Sequence, residues 1–207
     1  MLAFRRGYWK SLRCAILSRT LYNLIKLVAI WFILSVLAVP LASAQDIRRI
    51  TVGVGHGPQW IEGSSQQHNS VIDVNLFFKE FPIPRLGRSS LLLGLGYSYL
   101  WTDADNDRDN HVISLIPAYR YYFEISKKIK MFIHLAAGPS VMSSYNLGEQ
   151  EQGSKFIFND YFGFGMRFGQ HNEWELSFVW RHLSNADLYQ PNNGYDVPFT
   201  FMLGRVF

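Results

Sequence analysis

Apolar residues recur at every second position through most of this sequence, which allows few folds other than a sheet with two different faces. The repeat is clear over residues 72–78, 91–101, 113–123, 131–141, 156–168, 176–180 and 199–207, and weaker over 49–56. Successive side chains of a strand point to opposite faces, so a period of two indicates strands with one apolar face. The pattern predicts eight strands.

The lengths of these runs and of their connections favour one all-β architecture. Soluble sheets use strands of about five or six residues, whereas a tilted membrane strand needs about 9 to 11. Longer polar segments, at 57–69, 103–108, 143–154 and 187–195, alternate with short links at 82–88, 126–128 and 170–173. Long loops at one end and short turns at the other are typical of an eight-stranded antiparallel transmembrane β-barrel.

The residues on the two faces indicate which face meets lipid. The apolar face is fringed by Tyr and Trp, as in an aromatic girdle, at Tyr97, Tyr99, Trp101, Trp174 and Trp180. The other face carries Asp73, Lys79, Arg120, Arg167 and Arg181, too many charges for the dry core of a soluble barrel or sandwich. We expect an apolar exterior and a lumen filled by side chains, with the arginines paired to Asp73, Glu124 and their neighbours.

The first 44 residues read as an export signal ahead of a barrel domain at 45–207. A basic stretch precedes a short apolar run and the small residues Ala42, Ser43 and Ala44, which predicts a cleaved signal peptide. This segment contains the single cysteine, Cys14, and six basic residues without an acid. Removing those six from 20 Lys and Arg leaves 14 against 16 Asp and Glu, a charge of −2. The export signal and the barrel together predict a Gram-negative outer-membrane location. Because residues 45–207 have a net negative charge, we expect no nucleic-acid partner.

A histidine and a serine end the seventh predicted strand at its long-loop side. His182 and Ser184 are two residues apart and share the parity of the apolar face, so both should face lipid. A base beside a hydroxyl is the arrangement of an activated nucleophile. The same residue types at the rim could instead meet headgroup water. His68-Asn69-Ser70 repeats the spacing inside a polar segment, where we interpret it as solvated turn residues.

The longer pattern around this pair, Arg-His-x-Ser-Asn-Ala-x-x-x-x-Pro-Asn-x-Gly at residues 181–194, resembles the lipid A 3-O-deacylase (PagL-like) family. The resemblance implies a serine hydrolase without a cofactor, in which Ser184 is the nucleophile and His182 the base. It also implies that Asn185 is needed for activity and helps to bind the oxyanion. Asn192 is a weaker oxyanion candidate, because a turn residue before Asn193-Gly194 explains it equally well.

The acidic member of a triad has two candidates. The family has Glu fourteen residues after the histidine, and this chain has the shorter Asp196 there. Strand parity turns Asp196 into the lumen unless the last strand starts late or bulges near Val197-Pro198. Asp160 is the alternative, since it faces outward and pairing across the 170–173 turn places it opposite His182 or Ser184.

The resemblance implies lipid A, within lipopolysaccharide, as the substrate, with outer-membrane lipids as surroundings; a homodimer is compatible with the sequence. Two alternatives stay open: a structural or adhesive barrel without enzyme activity, and another lipid-active barrel such as a phospholipase or acyltransferase. The alternating aspartates at 103–109 lack the Gly and Glu of a calcium-binding loop, and the histidines show no ligand spacing. We predict no metal site.

Overall fold

The computed structural model describes residues 45–60, 66–83 and 86–207, with side chains for all of these except 45–48. The predicted signal peptide lies outside the described residues. Ten strands follow one another along the chain: β1 Gln45–Pro58, β2 His68–Ile83, β3 Ser89–Thr102, β4 Asp109–Ser126, β5 Ile129–Met142, β6 Asn146–Leu147, β7 Gln150–Glu151, β8 Phe156–Phe168, β9 Trp174–Ser184 and β10 Tyr195–Val206.

Eight of these strands form a closed antiparallel barrel in the order β1-β10-β9-β8-β5-β4-β3-β2. The barrel closes where β1 pairs with β10, for example at Val54 opposite Phe201. Closure gives every strand two neighbours, so the sheet has no edge with unpaired N–H and C=O groups. The predicted architecture and strand count are confirmed.

The longer loops, after β1, β3, β5 and β9, share one end of the barrel, called the loop end below. The loop after β5 contains a hairpin that the sequence pattern did not predict. In it β6 pairs with β7, with Asn146 opposite Glu151, and Gln152 bridges to Asn192 in the loop after β9. Two loops of the loop end are thereby joined.

The outer surface is apolar over the middle of every strand. Exposed outward side chains include Val52, Val54, Val74, Leu76, Leu95, Ile113, Leu115, Leu135, Phe162, Phe164, Leu176, Phe201 and Leu203. Such a continuous apolar surface would be costly in water and is stable in hydrocarbon. The barrel therefore has the surface of a membrane-spanning sheet. Among the described residues, no helix is long and apolar enough to cross a membrane.

The lumen is filled by paired charges. Arg120 donates to both oxygens of Glu175, at 2.6 and 2.8 Å, and Arg49 Nε lies 3.5 Å from the same carboxylate. Arg120 also stacks over the Phe132 ring, 4.2 Å from its centre. All three charged side chains are at most 1% exposed. The expected pairing with Glu124 is wrong: Glu124 lies on β4 near the short turns and pairs with Lys130 at 3.5 Å.

A second lumen cluster lies closer to the loop end. Arg181 of β9 donates to Asp73 of β2, to Ser98 Oγ at 2.9 Å and to the Tyr161 hydroxyl at 2.7 Å. The prediction that a lumen arginine pairs with Asp73 is confirmed, and the arginine is Arg181. A fully buried ion pair contributes little net stability, but a charge left without its partner is strongly destabilising. The two clusters therefore lock strands from opposite sides of the barrel together.

Replacement of Glu175 by Gln tests this interpretation. The change leaves the Arg49 and Arg120 guanidinium groups without their shared anion, so we expect a loss of about 3 kcal/mol in the free energy of unfolding. The midpoint of the heat- or urea-dependent shift in gel mobility measures it. Glu124→Gln is the matched control, because its exposed pair should contribute under about 1 kcal/mol. Equal midpoints for both variants would contradict the structural role of the Glu175 cluster.

Candidate active site

The last three outward-facing residues of β9 form a continuous row that ends at the loops. Trp180, His182 and Ser184 alternate with residues that face the lumen, such as the fully buried Arg181 and Leu183. The His182 ring stacks on Trp180 with 5.8 Å between ring centres and is 16% exposed. Both site residues thus face the lipid side, as strand parity predicted, and the imidazole is held against an aromatic neighbour.

The Asp196 carboxylate contacts this row from β10. Asp196 is paired with His182 in the sheet, its side chain is fully buried, and its Oδ1 lies 2.9 Å from His182 Nδ1. The register between β9 and β10 shifts between Val197 and Thr200. Here two residues of β10, Pro198 and Phe199, lie opposite Trp180, a bulge that changes the parity of the strand. The bulge is why Asp196 reaches His182 while Phe199, three residues later, still faces outward.

Asp160 is a neighbour of the same imidazole but does not bind it. It lies directly opposite His182 in the β8–β9 pair, which is one of the two positions that the predicted register allowed. Its side chain is half-buried, and it makes no hydrogen bond or ion pair with any residue the structure describes. Of the two candidate acids, Asp196 is hydrogen-bonded to His182, whereas Asp160 only lies near it.

Ser184 is the final residue of β9 and is 9% exposed. It pairs with Phe158 of β8, and its Oγ makes no hydrogen bond to His182 in the part of the chain described. Two residues on one strand face are close enough for a change of rotamer to bring hydroxyl and imidazole into contact. The row therefore contains a base with an acidic partner, next to a hydroxyl.

A second serine and histidine face outward on the neighbouring strands. His56 Nδ1 lies 2.8 Å from Ser70 Oγ, and the His56 ring stacks on His68. The Asp103 carboxylate lies 3.2 Å from His68 Nδ1. Interpreting 68–70 as solvated turn residues is wrong: they begin β2, and Asn69 between them is fully buried.

The two asparagines that follow Ser184 organise the loop after β9. Asn185 is fully buried and its Nδ2 donates to Tyr189 O and Pro191 O, at 2.8 and 3.2 Å. Its backbone N–H donates to Asn192 Oδ1 at 2.9 Å. The next two residues, Ala186 and Asp187, have φ of 55° and 61°. Consecutive left-handed non-glycine residues are strained, and such strain clusters at functional sites.

The aspartates after β3 do not converge. Asp103 accepts from the His68 backbone N–H, which lowers the pKa of its carboxyl, while Asp107 accepts from Asn146 and Asp109 from the Tyr99 hydroxyl. Among the described residues, no group of three or more His, Cys, Asp or Glu could hold a metal ion. The arrangement at 103–109 is one of separate loop contacts.

Residues that were not predicted from the sequence lie behind Asp196. Gln59 Nε2 and the Trp60 backbone N–H donate to Asp196 Oδ2, at 3.2 and 3.1 Å. Asn69 Nδ2 donates to the Asp196 carbonyl oxygen at 3.0 Å. Gln59 and Asn69 belong to a polar segment without periodicity, so no local signal marks them. Only the closure of β1 against β10 brings them to the site.

Gly194 provides a test of how tightly the imidazole is confined. Its φ is 55°, and an added Cβ would lie 2.6 Å from His182 Cε1. We expect Gly194→Ala to displace the ring from Asp196 and to lower any His182-dependent turnover about 100-fold, since a shift of about 1 Å has this effect. Kinetics in detergent micelles measure it, with gel mobility as the folding control. Turnover equal to the parent would show that the ring has room to move.

This chain is similar in sequence to two lipid A deacylases. Residues 81–204 match the family model described as lipid A 3-O-deacylase (PagL). The lipid A deacylase PagL of Pseudomonas aeruginosa is 33% identical over 110 residues, 53% of this chain and 61% of that protein. The lipid A deacylase PagL of Bordetella bronchiseptica is 33% identical over 113 residues, 54% of this chain and 60% of that protein. The alignments thus span about three fifths of these relatives.

Two solved structures share the fold. The crystal structure of the outer membrane enzyme PagL superposes with a TM-score of 0.56 at 23% identity, covering 76% of this chain and 98% of that one. Neisserial surface protein A gives a TM-score of 0.55 at 10% identity, covering 79% of this chain and 99% of that one. At these identities the likeness concerns the barrel alone. The family model, which covers more than half of the sequence, shows more: this chain belongs to the lipid A 3-O-deacylase (PagL) family.

Proposed function

We propose that this protein is an outer-membrane lipid A 3-O-deacylase that removes the ester-linked 3-hydroxyacyl chain at the 3-position of lipid A. One observation carries the proposal: a His182–Asp196 hydrogen bond on the lipid-facing surface, directly beside Ser184. Membership of the family supports the choice of substrate. The apolar exterior around the site allows a lipid to approach sideways within the outer leaflet.

In the proposed reaction Ser184 Oγ attacks the ester carbonyl carbon while His182 Nε2 accepts the hydroxyl proton. Asp196 accepts the hydrogen bond from Nδ1, which selects the tautomer with a free Nε2 and stabilises the imidazolium that forms. The stacking of the ring on Trp180 keeps this orientation. These are the roles of base and orienting acid in a serine hydrolase.

The tetrahedral intermediate then collapses. The bond between the carbonyl carbon and the sugar 3-oxygen breaks, and the imidazolium returns its proton to that oxygen. Water, deprotonated by His182, attacks the acyl-serine ester and releases the 3-hydroxy fatty acid and the free Ser184 hydroxyl. Each proton taken up by His182 is returned in the same half-reaction, so the proposed steps balance without a further reactant.

The proposal assigns Asn185 and Asn192 to stabilisation of the oxyanion. The Asn185 side chain binds two carbonyls of its own loop, and Asn192 accepts from the Asn185 backbone N–H. We infer that both act by shaping the turn at Ala186 and Asp187, whose backbone N–H groups lie two and three residues after the nucleophile. One oxyanion donor is worth about 3 kcal/mol.

Ser184→Ala should abolish the activity. We expect lipid A from cells that express the parent protein to lose the mass of one 3-hydroxyacyl chain, and lipid A from cells with the variant to keep it. Loss of a serine nucleophile typically lowers kcat by about 10⁶-fold. Mass spectrometry of lipid A measures the difference. Ser70→Ala is the matched control, because Ser70 is also an outward serine beside a histidine.

The outcomes separate the alternatives. An unmodified lipid A with the parent protein, folded by gel mobility, favours a structural barrel. Loss of a chain from phospholipid or from another lipid A position favours a different lipid-active enzyme. Activity that survives Ser184→Ala but not Ser70→Ala would move the nucleophile to β2.

The acid is tested by comparing Asp196→Ala with Asp160→Ala. We expect the first to lower kcat about 10⁴-fold, because the imidazole loses its hydrogen-bonded anion, and the second to lower it less than about tenfold. Purified protein in mixed lipid A micelles gives both values. The reverse order would assign the role to Asp160.

A further inference from the structure

The Asp196 carboxylate is bound on both sides. Oδ1 binds His182, and Oδ2 accepts from Gln59 Nε2 at 3.2 Å and from the Trp60 backbone N–H at 3.1 Å. We propose that Gln59 is a positioning residue that holds Asp196 against His182. This inference rests on the proposed function, in which Asp196 is the orienting acid.

The side-chain amide of Gln59 can adopt only one orientation in this network. Its Oε1 accepts from the Asp196 backbone N–H at 3.0 Å and from Asn69 Nδ2 at 2.8 Å. The other end, Nε2, therefore faces Asp196 Oδ2 and also donates to Gly194 O at 3.2 Å. In a flipped amide, Oε1 would face the acceptors Asp196 Oδ2 and Gly194 O, and neither hydrogen bond could form. The single amide thus binds both the backbone and the carboxylate of Asp196.

Gln59 is in turn held by a buried chain of amides. Asn69 Oδ1 accepts from Gln67 Nε2 at 2.7 Å, and Gln67 also binds Leu147 O and the Glu149 backbone N–H. Asn69 is fully buried and Gln67 is 5% exposed. This chain of amides ends on the β6–β7 hairpin, so the hairpin supports the hydrogen bonds between Gln59 and Asp196. A positioning residue needs such support if its own donors are to be directional.

The short side chain of Asp196 explains why the donors on its Oδ2 matter for the contact with His182. The short Asp196 side chain reaches His182 because β10 bulges between Val197 and Thr200. With few rotatable bonds, a small turn of the carboxylate would break its contact with the imidazole. Donors on Oδ2 prevent that turn. Gln59 lies outside residues 81–204, so the family match does not include it.

The test replaces Gln59 by Met, which keeps the volume but removes both ends of the amide. Gln66→Ala is the matched control, since Gln66 is an exposed glutamine of the same segment. We expect Gln59→Met to lower kcat about 100-fold with KM changed less than about twofold. Gel mobility reports folding. Parental kcat, or a loss in KM alone, overturns the inference.

A second readout does not depend on activity. The His182 Nδ1 proton, hydrogen-bonded to a buried carboxylate, should give a far-downfield proton NMR signal in micelles, assigned by its loss in Asp196→Asn. We expect Gln59→Met to shift or broaden this signal and Gln66→Ala to leave it unchanged. An unchanged signal in folded Gln59→Met overturns the positioning role. Activity that survives Ser184→Ala overturns the proposed function instead, while the signal still decides whether Gln59 orients Asp196.

Discussion

A closed sheet in a membrane gives each side chain one of two directions, into lipid or into the lumen. Closure is required because hydrocarbon cannot satisfy a free backbone N–H or C=O. The distribution of residues in this barrel follows from that choice: Arg49, Arg120 and Glu175 turn inward and pair, while the lipid-facing positions carry mostly aliphatic and aromatic residues. A polar side chain on the outer face therefore needs a separate explanation. For His182 and Ser184 at the end of β9, the proposed hydrolase reaction provides it.

The site depends on a local exception to this rule. Regular β10 geometry would send either Asp196 or Phe199 to the wrong side, and the bulge between Val197 and Thr200 allows both to face outward. A bulge alone would leave the carboxylate free to rotate. Its second oxygen is bound by Gln59 and Trp60, which follow a strand at the other end of the sequence. Barrel closure and site geometry are thus linked.

Features set by local periodicity could be predicted from the sequence, and features set by distant contacts could not. Alternation predicted the strands and the outward direction of His182 and Ser184, and it narrowed the partner of Asp160 to His182 or Ser184, of which His182 is the one observed. For Asp196 the sequence left two options, a late start of the last strand or a bulge, because residue parity does not show where a strand loses its regular alternation. The start of β2 was missed because its first residues are polar, and the Asn69 contacts depend on closure of the barrel.

The packed interior has a consequence for solvent. Among the residues that the structure describes, buried arginines, acids and aromatics fill the cylinder from Glu175 to Asn69 and leave little room for solutes. In the proposed reaction, a water molecule that reaches an ester on Ser184 would come from the headgroup region, along the outside of the barrel. The site lies where β9 ends, within reach of that hydrated layer. The acyl chain would thus approach through the membrane hydrocarbon, and the hydrolytic water would approach from the opposite direction, through the hydrated headgroup layer.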